Sequence, residues 1–175
     1  MQGNLDGLCG VYSVVNASLH LSRKRLTQDQ TKDLFRRLCA QLGEEGRLED
    51  TLFDGMTVRT LGRLIDTSSE FLKEEGCGGI HRKVAFSSAP DGLARFWDAI
   101  AAHIKEHGTG SVILGMGGKY DHWTCVGAIS ENRISLIDSD GLQRISRINC
   151  TIADERVGRH HALVPTQTYL LSAIY

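Results

Sequence analysis

The hydrophobic period of this chain changes once, near Gly110, and that change limits the folds open to it. Upstream, apolar residues recur at helical spacing: Val11, Val14, Val15 and Leu19, then Leu34, Phe35, Leu38 and Leu42, then Val58, Leu61, Leu64 and Ile65, then Leu93, Phe96, Ile100 and Ile104. These stripes predict helices over about 9–20, 27–43, 57–74 and 91–107. Thr27 followed by Gln30 is a capping-box pattern that starts the second. Downstream, short β-branched runs at 111–116, 122–129, 133–138, 142–149 and 168–174 alternate with Gly, Ser, Asn and Asp, which predicts strands joined by turns. Glu131-Asn132 and Asp140-Gly141 read as tight hairpin turns. Segment 76–90, rich in Gly and Ser, reads as the mobile loop. Helices first and strands afterwards give an α+β class, N-terminal helices packed on a C-terminal antiparallel sheet, in a single domain over 1–175.

Composition narrows the function. The 175 residues carry a formal charge of -1, so no overall field favours nucleic acid or an anionic membrane. The basic run Arg23-Lys24-Arg25 is too short for a phosphate-binding face and reads as a solvated loop. No apolar stretch approaches the ~20 residues that span a bilayer, and Gln2, Asn4 and Asp6 interrupt any secretory pattern at the N-terminus. For a complete chain this implies the cytoplasm. The five cysteines (9, 39, 77, 125 and 150) are odd in number and have no C-x-x-C spacing, so free thiols are expected. Cys77 reads as an exposed loop thiol and Cys125 as core.

Cys9 stands where a Gly- and Asp-rich turn gives way to an apolar helix. It has two readings, a small buried apolar residue or a reactive thiol. A thiol at a helix start faces unsatisfied N–H groups and the positive end of the dipole, both of which favour the nucleophilic thiolate. Two features favour the second reading. His122 opens a strand after a flexible loop, and Asp138 closes the next one, so a hairpin centred near 131 brings them side by side. A carboxylate beside the imidazole would fix its tautomer and stabilise the imidazolium. Asp140, the rival carboxylate, falls in the Asp-Gly turn, where Asp serves local bonding. Gln2 is either a solvated terminal residue or an oxyanion donor partnered by the Cys9 backbone N–H.

Other conspicuous residues carry less. His160-His161 are adjacent, hence on opposite faces of a strand, and no metal or other cofactor is expected. Gly115-Met116-Gly117-Gly118 lacks the Lys-Ser/Thr ending and the following helix of a phosphate loop. Trp123 reads as a shield over the His–Asp bond.

The segment Gln2-Gly3-Asn4-Leu5-Asp6-Gly7-Leu8-Cys9-Gly10-Val11-Tyr12-Ser13, with Asn16 on the same helix, resembles the nucleophile segment of papain-like cysteine peptidases. Its Cys-Gly dipeptide is most similar to the bacterial branch that includes bacteriocin leader peptidases. The order Gln, Cys, His, Asp, the strand entry Asp121-His122-Trp123 and the step to Asp138 at the end of Ser135-Leu136-Ile137 resemble the same family. The likeness covers residues 2–20 and 111–141. Gln2 and Cys9 are one residue further apart than is usual there, and Ser139 stands where leader peptidases often have Pro. No ATP-binding or membrane segment accompanies it. The resemblance implies a papain-like fold, with Gln2 as oxyanion residue, Cys9 as nucleophile, His122 as base and acid, and Asp138 as orienting carboxylate. It implies a peptide or protein substrate, hydrolysed at a peptide or isopeptide bond through a thioester. An amidase (cell-wall amidases included), deamidase or acyltransferase would use the same triad, and a binding module could keep the fold without catalysis.

Overall fold

The computed structural model of the chain describes residues 7–23, 25–107, 110–117, 121–152 and 160–175. Among these, five helices and one eight-stranded, largely antiparallel sheet make an α+β fold.

Helix α1 (Cys9–Leu21) follows Leu8, whose side chain has no oxygen with which to cap the first turn. Its Val11, Val14, Ala17 and Leu21 are at most 1% exposed, which makes it a central helix wrapped by its neighbours. Helix α2 (Gln28–Glu44) starts at the capping box read from the sequence. Gln30 N donates to Thr27 Oγ1 at 3.2 Å, and Thr27 N donates to Gln30 Oε1 at 2.8 Å. A short helix α3 (Leu48–Asp54), absent from the sequence reading, leads to α4 (Val58–Glu74), which Thr57 caps through its hydroxyl. Strand β1 (Gly79–Val84) precedes α5 (Gly92–His107).

The remaining strands are β2 (Ser111–Gly117), β3 (His122–Ile129), β4 (Arg133–Ile137), β5 (Arg144–Ser146), β6 (Cys150–Ile152), β7 (His161–Leu163) and β8 (Tyr169–Ile174). They run β1-β8-β2-β3-β4-β5 across the sheet, with β7 pairing to the end of β2 and β6 pairing parallel to β7. Alternation along β2 divides the core. Ile113 joins Leu34, Leu61, Leu64 and the apolar side of α1, whereas Val112, Leu114 and Met116 join Phe96, Trp97 and Ile100 of α5. The sheet therefore carries α1 and α4 on one face and α5 on the other.

Several expectations need correction. Segment 76–90 contains β1, whose six residues all pair with β8. The charged run His81-Arg82-Lys83 obscured the alternation; Arg82, on the face toward α4, reaches Asp66 through two guanidinium bonds of 2.6 Å. Cys77 is buried rather than exposed, its thiol directed at the Glu75 carbonyl. The expected strand over 142–149 is only β5, followed by a 3₁₀ turn at Arg147–Asn149. Asp140-Gly141 belongs to a six-residue connection between β4 and β5, not a tight turn. The Glu131-Asn132 turn is as expected, closed by Ser130 N donating to Arg133 O at 2.8 Å. Lys24 lies outside the described residues. Among the described residues no helix is long and apolar enough to cross a membrane.

Candidate active site

Position in the chain first determines where the thiol can go. Cys9 is the first residue of α1 and is half-buried. The turn before it is held from the side of α3: Gly7 N donates to Leu52 O at 2.7 Å. A Cβ on Gly7 would fall well inside contact with the Thr51 carbonyl oxygen, so only glycine lets the two backbones meet. On the other side of Cys9, a Cβ on Gly10 would come within 2.5 Å of Met56 Sδ. These two glycines seat the start of α1 tightly against the α3–α4 connection.

His122 opens β3 and Asp138 follows the last residue of β4. Cys125 pairs with Ile137, so continuing that register sets Asp138 opposite Thr124 rather than His122. The His–Asp contact is thus a diagonal one, two residues off the symmetric pairing that the hairpin spacing suggested, but still on one face and within reach. Its length is 2.7 Å, between His122 Nε2 and Asp138 Oδ2. An ionised carboxylate only accepts, so Nε2 carries a proton, and Nδ1 is the ring nitrogen left for another partner.

Cys9 is near enough to act on the ring, although its Sγ is directed at Gly7 O, 3.9 Å away. Burial pulls the His122 pKa down, but the hydrogen bond to Asp138, the nearby Cys9 and the charge of Asp138 raise it to about 10. Asp138 shows the mirror-image balance. Burial pushes its carboxyl up, while the His122 bond, the nearby Thr124 hydroxyl and the Asp140 N–H bring it below the ordinary carboxylate value. Thr124 acts from outside regular hydrogen-bond geometry, because its Oγ1 has no partner that meets it. The second Asp138 oxygen, Oδ1, accepts from Asp140 N at 2.8 Å and Leu142 N at 3.2 Å. Both oxygens are thereby committed, and the carboxylate cannot rotate without breaking three bonds.

Of the residues singled out in the sequence, Cys9, His122 and Asp138 come together, and Gln2 lies outside the described residues. Asp140 is exposed and serves Asp138 through its backbone. Trp123 is 7% exposed and packs in the same core cluster as α1, next to the imidazole in sequence. Cys125 is core, with its thiol pushed up to about 12 chiefly by burial. No three His, Cys, Asp or Glu side chains among the described residues are grouped to hold a metal ion.

Two contacts were not anticipated. Ser13 Oγ donates to Trp123 O at 2.9 Å, and Asn16 Nδ2 donates to Ile137 O at 3.0 Å and Ser139 Oγ at 3.1 Å. Cys9, Ser13 and Asn16 are spaced i, i+4 and i+7, one stripe of a largely apolar helix. That polar stripe is the signal that could have exposed them.

Comparison of the chain with protein-family models, with curated proteins and with solved structures finds no match.

Proposed function

We propose that this chain is a cysteine-dependent hydrolase of papain-like type that cleaves a peptide or isopeptide bond. The observation that carries the reading is the imidazole of His122, bonded through Nε2 to a buried carboxylate and close enough to Cys9 for the two to interact. A raised imidazole beside the thiol, with the thiol at the start of a helix, is the setting in which a cysteine is activated as a nucleophile. Burial of the site strengthens that pairing relative to water.

In the proposed reaction the Cys9 thiolate attacks the carbonyl carbon and a carbon–sulfur bond forms. The oxygen anion of the tetrahedral intermediate falls near the uncapped first turn of α1, with the Cys9 N–H as one donor and Gln2 as the proposed second. The imidazolium gives its Nδ1 proton to the departing amine, the carbon–nitrogen bond breaks, and a thioester remains. The now neutral imidazole takes a proton from water, whose oxygen attacks the thioester. Breakdown releases the acid and restores the thiolate–imidazolium pair. Asp138 keeps the imidazole in the tautomer that both halves require.

The papain-like arrangement is supported by the order of the elements, a nucleophile-bearing central helix followed by an antiparallel sheet that brings the His and Asp. The test is incubation of the wild-type protein and Cys9→Ala with peptide and protein libraries, read by mass spectrometry. New termini that need Cys9 support peptide hydrolysis. Glutamine-to-glutamate conversion without chain cleavage would replace it with deamidation. No Cys9-dependent product in any library would contradict the reading.

A further inference from the structure

We propose that Asn16 is a positioning residue for the triad, setting the distance between the helix that carries the thiol and the strand end that carries the carboxylate. The inference rests on the hydrolase reading and deepens it, since nothing in that reading assigns Asn16 a role.

Both amide protons of the Asn16 side chain have acceptors. Nδ2 donates to Ile137 O and to Ser139 Oγ, the residues immediately before and after Asp138. One side chain therefore grips the chain on both sides of the carboxylate without touching the carboxylate. The Asp140 and Leu142 N–H groups hold Asp138 Oδ1 from within its own loop, but they fix it only relative to that loop. Asn16 is what ties the loop to α1. One turn nearer the thiol, Ser13 makes the matching bond to the carbonyl of Trp123, the residue after His122. The nucleophile, the contact to the His-bearing strand and the contact to the Asp-bearing strand thus lie on one stripe of one helix. Sliding or rotating α1 would move sulfur away from the imidazole, and it would have to break these bonds first.

The expected size follows from catalytic geometry, where a displacement of about 1 Å costs on the order of 10²-fold in rate. Asn16 is half-buried and mid-helix, so Asn16→Leu keeps the branched shape, removes both donors and does not lower helix propensity. Asn16→Gln keeps the donors on a longer arm. Ser139→Ala, at an exposed position, removes one acceptor with no packing consequence.

The experiment is the pH dependence of Cys9 alkylation by iodoacetamide, followed site by site by mass spectrometry on the full chain, with thermal melting of each variant alongside. In the wild type, Cys9 reactivity should persist well below the pH near 8.5 at which a free thiol loses it. Asn16→Leu should stay folded, yet lose that low-pH reactivity by about tenfold or more at pH 6. Asn16→Gln should recover part of it, and Ser139→Ala should lose roughly two- to fivefold. A folded Asn16→Leu with the wild-type profile would make Asn16 merely structural and overturn the proposal. If Asn16→Leu does not fold, Ser139→Ala and Asn16→Gln decide in the same way, an unchanged profile in both overturning it. A wild type without low-pH reactivity would instead sink the hydrolase reading itself, which is how the two failures are told apart.

Discussion

His122 and Asp138 share a bond sealed at its carboxylate end: the Asp138 side chain is 2% exposed and that of His122 is 17% exposed. A charge-assisted bond so shielded from water holds its proton tightly, and Cys9 lies near the imidazole. Replacing Asp138 by Asn removes the charge while preserving size. The His122 pKa, measured by NMR titration of the ring protons, should drop from about 10 toward its ordinary value of 6.5. Turnover should fall by on the order of 10²–10⁴-fold. An unchanged titration would mean that the carboxylate does not govern the imidazole.

The same pair predicts how stability depends on pH. His122 is raised in the folded state, so it contributes stability fully below about 6.5 and loses it as pH climbs through about 10. Asp138 is lowered, so its contribution is present above the ordinary carboxylate value of 3.8 and disappears as pH falls through its folded value. Denaturant midpoints measured from pH 6.5 to 9.5 should therefore decline in the wild type more steeply than in His122→Ala. The comparison with that variant matters because Cys125 and Tyr169, whose pKa values burial raises, also disfavour the folded state at alkaline pH. Parallel slopes would contradict a raised His122.

Gly7→Ala tests the seat of Cys9. The new methyl would collide with the Thr51 carbonyl, a backbone group that cannot swing aside. A cost of about 1–3 kcal/mol is expected from such overpacking, read as a lower denaturation midpoint. Slower alkylation of Cys9 should accompany it, because the turn that leads into α1 must shift.

Trp97→Ala probes the opposite face of the sheet. Trp97 is 1% exposed, donates from Nε1 to Ser130 O at 2.8 Å and lies under the Arg147 guanidinium. Its loss should cost about 3–5 kcal/mol in equilibrium unfolding. Because α5 lies across the sheet from α1, the alkylation rate of Cys9 per folded molecule should not change.

The features legible in the sequence are those fixed by neighbours a few residues away. The capping box at Thr27 and Gln30 and the apolar stripes of α1, α2, α4 and α5 are local patterns, and the helices begin and end within a residue or two of where those patterns do. The pairing of β3 with β4 was legible because the Glu131-Asn132 turn sets it. The register was not, since the irregularity between Val126 and Ala128 shifts it. Strand β1 was illegible because β8, about ninety residues later, supplies its hydrogen bonds and a charged stretch hides its alternation. In the site, Cys9, His122 and Asp138 declared themselves by residue type. Ser13 and Asn16 stood in the same segment and on one stripe with Cys9, but their contacts were not legible, because the partners lie more than a hundred residues downstream.

Site-resolved alkylation at pH 6 addresses the thiolate most directly, by comparing Cys9 with Cys39. Both thiols are half-buried, but burial alone acts on Cys39 and raises its pKa. Iodoacetamide should modify Cys9 at least tenfold faster than Cys39, with the preference abolished in His122→Ala. Equal rates at the two cysteines in the wild-type protein, or a preference for Cys9 that survives the loss of His122, would contradict the account.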